Sequence, residues 1–516
     1  MTRESSCAPA PRPAVKCQAV AARDITSEGA GIDTVPVALT RREFGGGLVA
    51  TLALLSSGCA TISPKEERKL GAEAAEEVER TVGLVGDPKL VGYVRQVAGR
   101  MAQVAKRTDV AWQFNVTDDT EPNAFALPGG YVYVTRGLVA LLNSEDELAG
   151  VLGHEMAHVL DRHAARRAGA ATPFALLFGI PAGILGAVSP ALGGIVGGTG
   201  ELASGMVLAS YSRDQERDAD QHGIALAARA GWDPAGLASF LNTLEREEKL
   251  AGHDPNRPGF FATHPATPER VGNVRAAARS QTRATAAPLA GTRGAFLQKL
   301  EGLVVGDNPA SGVFFGPLFV HPVFDVALEM PAKWKTINTA EAAGGVAPDG
   351  DAAVVLSLSG DGDDPVAAAK ADGLSEAQLK QLQRVRVGSL PGARLAADTR
   401  NGHRAVLTWI AHRKRVFRVS AVARVRDWGR YGAILDRTGG TFRPLLAADR
   451  ERLVESRLRI RVTGAGETVA EVLARGGGTW NLAQMAVANG TTVDAKLQPG
   501  WPVKVPVSQR YDGSRG

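Results

Sequence analysis

Residues 154–158 read His154-Glu155-Met156-Ala157-His158, the H-E-x-x-H pattern, inside an apolar run from Leu148 to Leu160. The run predicts a buried helix. On a helix, positions i and i+4 lie about 40° apart on one face, one turn above the other. Both imidazoles can then reach one Zn²⁺ at about 2.0–2.1 Å each. Glu155 sits one step along, can stay off the metal, and can take a proton from water. The plainer alternative is a buried helix whose histidines are only hydrogen-bonded. The chain holds just 9 His in 516 residues, so this pairing rarely arises by chance.

A chain of 516 residues exceeds one core, and about three domains are expected. Its 44% hydrophobic and 22% charged residues are ordinary for globular protein. The net charge of +5 is scattered, without the aromatic-interleaved basic stripe of a nucleic-acid binder, so no nucleic acid is expected as partner. Cys7, Cys17 and Cys59 all precede the folded part, which excludes a disulfide framework or a later cysteine nucleophile.

Thr40-Arg41-Arg42-Glu43-Phe44, an apolar stretch from Gly45 to Leu55, and Ser56-Ser57-Gly58-Cys59 read as an export signal too short to span a bilayer. The arginine pair resembles a twin-arginine signal, and the Cys59 end resembles a lipobox. That resemblance implies lipidation at Cys59 and a bacterial envelope protein on the periplasmic side, held at the outer membrane by lipid. The lipobox departs from the usual pattern, because Ser56 fills the slot where leucine is expected.

Helical periodicity runs through 64–107, Trp112 to Val116 alternates like a strand, and Pro128-Gly129-Gly130 turns into a β-rich run. That run, Tyr131-Val132-Tyr133-Val134, is a candidate edge on which an extended substrate adds as a strand. An ordinary core strand is the alternative. Residues 173–209 are apolar and rich in Gly and Ala, but Pro181 and Pro190 break them into pieces too short to span. They read as packed short helices or a cover over the site, with membrane-surface contact as the other reading. Further helices are expected from Ser212, over 235–250 and over 267–280, and 281–300 reads as a linker.

Two histidines leave zinc short of a third protein ligand. The H-E-x-x-H-x-x-G-x-x-H class is excluded, since Asp161 and Ala164 fill its slots; His163 is one residue short. A glutamate from another helix is the alternative. In Ser212-Arg213-Asp214-Gln215-Glu216-Arg217-Asp218-Ala219-Asp220, Glu216 and Asp220 are i and i+4. Glu216 can ligate, and Asp220 can accept the other N–H of a ligating histidine. Alone, this stretch would read as a charged, solvated helix.

Together with Asn123-Ala124-Phe125-Ala126-Leu127-Pro128-Gly129-Gly130, these motifs resemble the HtpX and CaaX-prenyl-protease type of zinc metallopeptidases (gluzincins), in a bacterial periplasmic lipoprotein branch. The resemblance covers about 63–280. It implies a mainly α zincin-type domain with a small β-sheet, and a zinc endopeptidase with His154, His158 and Glu216 on one Zn²⁺ and Glu155 as general base. Thr263-His264-Pro265 with Arg270 matches a further family element. It implies either oxyanion stabilisation by His264 and Arg270 or a His264 that closes the zinc site at rest; both stay open here.

Residues 301–450 change to α+β patterning. Leu328-Glu329-Met330-Pro331-Ala332-Lys333-Trp334, with the strands and helix expected after it, resembles the PsbP/Mog1-like fold. Residues 459–507 read as a βααβ unit resembling a LysM module, which implies binding to peptidoglycan-type polymers; Gly476-Gly477-Gly478 departs from that pattern. The expected function is envelope protein quality control, cleaving unfolded or misfolded envelope polypeptides. The alternatives are a chaperone-like assembly factor with a latent protease and a peptidoglycan-associated hydrolase.

Overall fold

The computed structural model describes residues 63–164, 211–252, 259–265, 268–398 and 402–513. The export signal with Cys59 and the apolar 173–209 segment lie outside the described residues. The chain divides into Met1–Gly58 and Cys59–Gly516, and all the described residues belong to the second unit.

The first region is helical around a small sheet. Ser63 caps α1 (Pro64–Thr81) through a capping box, and Asp87 caps α2 (Pro88–Val104); each helix begins on proline, whose missing N–H costs nothing there. Strands β1 (Gln113–Thr117), β2 (Ala124–Leu127) and β3 (Tyr131–Thr135) form a sheet in the order β1-β3-β2. β3 pairs parallel with β1 and antiparallel with β2. Helix α3 (Arg136–Leu141) leads into α4 (Glu145–Leu160), which carries the H-E-x-x-H and is buried on almost every side. Then come α5 (Arg213–Arg229), α6 (Gly236–Ala251), the single turn α7 (Phe260–Thr263) and α8 (Pro268–Arg279).

Glycines set how closely these helices approach. A Cβ on Gly153 would meet the Gly223 carbonyl oxygen at 2.6 Å, and one on Gly223 would meet the His154 nitrogen at 2.6 Å. Helices α4 and α5 therefore cross backbone to backbone beside His154, which brings the Glu216 helix to the histidines. Gly150 does the same against Leu237 at the start of α6.

Residues 281–300, expected as a linker, are fastened to the helical region instead. The backbone N–H groups of Leu289 and Ala290 donate to the Glu145 carboxylate at 2.7 and 2.6 Å. Phe296 and Leu297 of α9 (Arg293–Lys299) enter the same core. Three adjacent apolar residues, Ala295 to Leu297, on a seven-residue helix leave no periodicity to read, and the capturing carboxylate lies far away in sequence.

The α+β region comes next, with β4 (Val304–Val305), β5 (Val313–Phe315), β6 (Leu318–His321), β7 (Val326–Glu329), β8 (Lys335–Asn338), β9 (Ala342–Val346) and β10 (Ala352–Asp361). Helices α10 (Pro365–Ala371) and α11 (Glu376–Gln381) precede β11 (Gln383–Val387), β12 (Leu390–Asp398), β13 (His403–His412), β14 (Arg415–Arg424) and α12 (Trp428–Thr438). Seven strands make an antiparallel sheet in the order β11-β12-β13-β14-β10-β9-β8. Side chains alternate across it: Val406 and Ile410 pack with Tyr431 and Leu435 of α12, while Leu407 and Trp409 pack with Ala369 of α10. A second sheet has the order β15-β7-β6-β5, with β15 at Arg443–Pro444.

After α13 (Ala447–Glu451), β16 (Val454–Val462), α14 (Val469–Gly476), α15 (Leu482–Ala488) and β17 (Pro502–Arg510) complete a βααβ unit, with β4 on the outer side of β16. Among the described residues no helix is long and apolar enough to cross a membrane.

Candidate metal centre

Helix α4 begins at Ser144, whose hydroxyl accepts from Glu147 N–H, and three acidic residues occupy its positive first turn. Ten residues on, the ring nitrogens His154 Nε2 and His158 Nε2 stand 3.1 Å apart. Helix α5 brings Glu216 to them: its carboxylate oxygens lie 3.4 Å from His158 Nε2 and 3.6 Å from His154 Nε2. His264, at the end of α7, adds Nδ1 at 3.0 Å from Glu216 and 3.2 Å from His154 Nε2. All four residues are buried, and their donor atoms lie within 4.8 Å of one another.

These separations test whether a metal fits. Four donors at about 2.0–2.1 Å from a tetrahedral zinc stand about 3.3–3.4 Å from one another. The observed 3.0–3.6 Å spans that value. The donor types also fit, since two imidazoles and a carboxylate form a known catalytic zinc set. Burial pushes the His158 pKa well down, aided by its histidine neighbours, so its ring is neutral and offers a lone pair. Glu216 is held far below the usual carboxylate range. Burial opposes its charge, but the three histidines around it outweigh burial.

A surrounding layer fixes the rings. His154 Nδ1 faces Asp220 Oδ1 at 2.9 Å, which selects the tautomer with a free Nε2. Arg270 donates twice to Asp220, at 2.8 Å each, and its Nη1 lies 2.7 Å from Glu216. The guanidinium is thus committed to the two carboxylates of α5 and also donates to the His264 carbonyl at 3.2 Å. Neither carboxylate oxygen of Glu155 accepts a hydrogen bond among the described residues; His264 Nε2 lies 3.4 Å from Oε1. Burial raises the Glu155 pKa.

Two residues beside the cluster were not expected there from the sequence. His163, set aside as a ligand, places Nδ1 2.9 Å from His158 Nδ1. Tyr211 stacks on His158 at a ring-centroid distance of 3.7 Å and gives its N–H to the Thr263 carbonyl. With Phe260 on the other flank, 4.5 Å away, it brackets the His264 ring. Glycines at 150, 153 and 223 were the available signal for the tight helix crossing.

The strand Tyr131-Val132-Tyr133-Val134 does not form a sheet edge. β3 is the centre of its sheet, with Gln113 to Val116 on one side and Ala124 to Leu127 on the other, so its backbone groups are spent on neighbours. Tyr133 stacks on Phe125 at 5.1 Å. The outer strands are β1, which also bonds Val85 through Val116, and β2, which lies against α4.

A family profile, Peptidase family M48, matches residues 88–278. The beta-barrel assembly-enhancing protease of Yersinia pestis is 29% identical over 223 residues, covering 43% of this chain and 45% of that protein. The mitochondrial metalloendopeptidase OMA1 of Schizosaccharomyces pombe is 30% identical over 211 residues, covering 40% of this chain and 60% of that protein. The chain thus spans about half the length of such relatives. Among solved structures, cyanobacterial PsbP from Synechocystis matches 27% of this chain and 98% of its own at 9% identity, with a TM-score of 0.20, too low to carry an argument.

Proposed function

We propose that this protein is a zinc-dependent endopeptidase of envelope protein quality control, acting on unfolded or misfolded polypeptides, a reading that the match of residues 88–278 to the profile of peptidase family M48 supports. The single observation that carries this is the buried cluster His154, His158, Glu216 and His264 beside an unsatisfied Glu155. His154, His158 and Glu216 would hold the zinc ion, which when bound supplies Lewis-acid polarisation of a carbonyl and acidifies water. Glu155 takes the proton of the attacking water and passes it to the leaving nitrogen. Asp220 holds the His154 tautomer, and Arg270 holds Asp220 and Glu216 in place. An extended substrate adds to the outer edge of β2, which runs beside α4.

His264 closes the site at rest on this reading. Its Nδ1 lies among the candidate zinc donors, its ring is fully buried between Phe260 and Tyr211, and Arg270 is already engaged by Asp220 and Glu216. His264→Ala then raises casein cleavage about tenfold, which corresponds to a closed state favoured by about 1.4 kcal/mol. A loss of activity instead assigns His264 to oxyanion stabilisation.

The curated relatives' names, a beta-barrel assembly-enhancing protease and a metalloendopeptidase, support polypeptide substrates. Twin Arg41-Arg42 and Cys59 support an outer-membrane lipoprotein facing the periplasm. The βααβ order of β16, α14, α15 and β17 supports a LysM-like module that tethers the chain to peptidoglycan, and the two-sided sheet of 335–424 supports a PsbP-like accessory domain. Zinc content and casein cleavage of Glu216→Ala test the core reading: both should fall to background, and retention of either overturns it.

A further inference from the structure

The last module reaches back into the peptidase region at one point. Lys504, on β17, is fully buried, and its Nζ donates to the carbonyls of Ala140 at 2.8 Å and Leu142 at 2.7 Å. Those carbonyls end α3 and begin the joint, residues 142–144, from which α4 starts. The last carbonyls of a helix have no partner within the helix. Here an ammonium group more than 360 residues downstream in sequence supplies one.

The same joint is held twice more. Arg293 donates to Asn143 Oδ1 at 2.8 Å and, on the module side, to the Asn489 carbonyl at 3.2 Å and the Pro502 carbonyl at 3.1 Å. Its guanidinium lies 4.2 Å over the Trp501 ring. Glu147, on the first turn of α4, accepts from Asn143 N–H at 2.6 Å and from the Ser239 hydroxyl at 2.6 Å. Asn489 in turn grips the Lys504 backbone, accepting its N–H at 2.8 Å and donating to its carbonyl at 3.0 Å. Leu458 and Ala488 of the module belong to the same apolar core as α4. Docking takes the Lys504 amine out of water, and the bonds to the two carbonyls offset that desolvation, so removing its donors leaves both carbonyls buried without their partner.

We propose that the C-terminal module is a clamp on the peptidase, in which Lys504 is a positioning residue that caps α3 and fixes the start of the metal-binding helix α4. The module is then a structural part of the catalytic unit as well as any tether it provides. Of the two readouts that test the clamp, hydrogen exchange and zinc loss, only zinc loss rests on the endopeptidase reading.

The full chain is compared with Lys504→Met, which keeps the length of the side chain and removes its donors. Amide hydrogen exchange over 138–150 should speed up by about tenfold, while β16 and β17 keep their protection. Zinc loss to a chelator should accelerate in parallel. Lys504→Arg should restore both, since a guanidinium also offers two N–H groups to two carbonyls. If Lys504→Met loosens the module itself, Arg293→Met decides, because it removes the bond to Asn143 and leaves the bond from Asn143 to the Leu141 carbonyl within the joint in place. Exchange over 138–150 within twofold of wild type in the deciding variant overturns the clamp. A wild-type chain that takes up no zinc contradicts the endopeptidase reading and leaves the exchange arm to judge the clamp.

Discussion

At the scale of single residues, the centre depends on the second nitrogen of each histidine. His154 Nδ1 faces a carboxylate oxygen of Asp220 at 2.9 Å, while His158 Nδ1 faces a second imidazole, His163, at 2.9 Å. Partners of this kind are worth about 10–100-fold in metal affinity. His163→Ala should therefore weaken zinc binding by about that factor in a chelator competition, with His163→Asn recovering part of it through its own acceptor. Unchanged affinity in His163→Ala would remove His163 from the site. The cluster of His154, His158 and Glu216 was legible because i, i+4 spacing on a helix maps directly onto one face, and Glu216 with Asp220 repeats that geometry. His163 was illegible because it lies beyond the helix. Asp161 ends α4, Arg162 takes a left-handed conformation with φ +55°, and the chain doubles back to put His163 on His158. Helical spacing does not describe a residue after such a turn.

At the scale of elements, the crossing of α4 and α5 decides how near Glu216 comes to the histidines. Gly153 and Gly223 leave no room for a methyl group. Gly153→Ala should force the helices apart, costing about 1–3 kcal/mol of stability from overpacking and reducing zinc occupancy as the Glu216 distance grows. Denaturant unfolding with parallel metal analysis checks this, and a variant as stable and as zinc-loaded as wild type would contradict it. One helix start, Ser212, was readable and caps as its residue type suggests; Ser63, Asp87 and Ser144 cap in the same way. Strand order was not readable. Tyr131 to Val134 have the pattern of a hairpin strand, but their second neighbour, β1, precedes the hairpin and pairs in parallel, and no local pattern reports that partner. The stretch 366–385 likewise reads as one helix, yet Gly373 at φ +89° breaks it, and Gln383-Arg384-Val385-Arg386-Val387 alternates as a strand.

At the scale of the whole molecule, stability should depend on acid through a histidine far from the centre. His321, on β6, packs against Phe319 and Phe324, and its Nδ1 accepts the Phe324 N–H. Burial lowers its pKa to about 4. Unfolded, it titrates near 6.5, so below that pH the unfolded chain binds a proton that the folded chain refuses. Stability should fall by about 2–3 kcal/mol as pH drops from about 7 to about 4 and level off beneath, and His321→Gln should flatten that part of the urea-midpoint profile. An unchanged slope in the variant would clear His321 of the effect. The way the parts join was not legible in the sequence. Lys504, Arg293 and Glu145 each bond groups more than a hundred residues away, and such pairings leave no trace in local composition. On the proposed mechanism, Glu155 performs the chemistry of a metal centre built by its neighbours. Zinc content and casein cleavage, measured together on the full chain and on Glu155→Gln, test this most directly. The variant should keep its zinc and lose cleavage by at least about a hundredfold. Equal cleavage by the two proteins would contradict the mechanism.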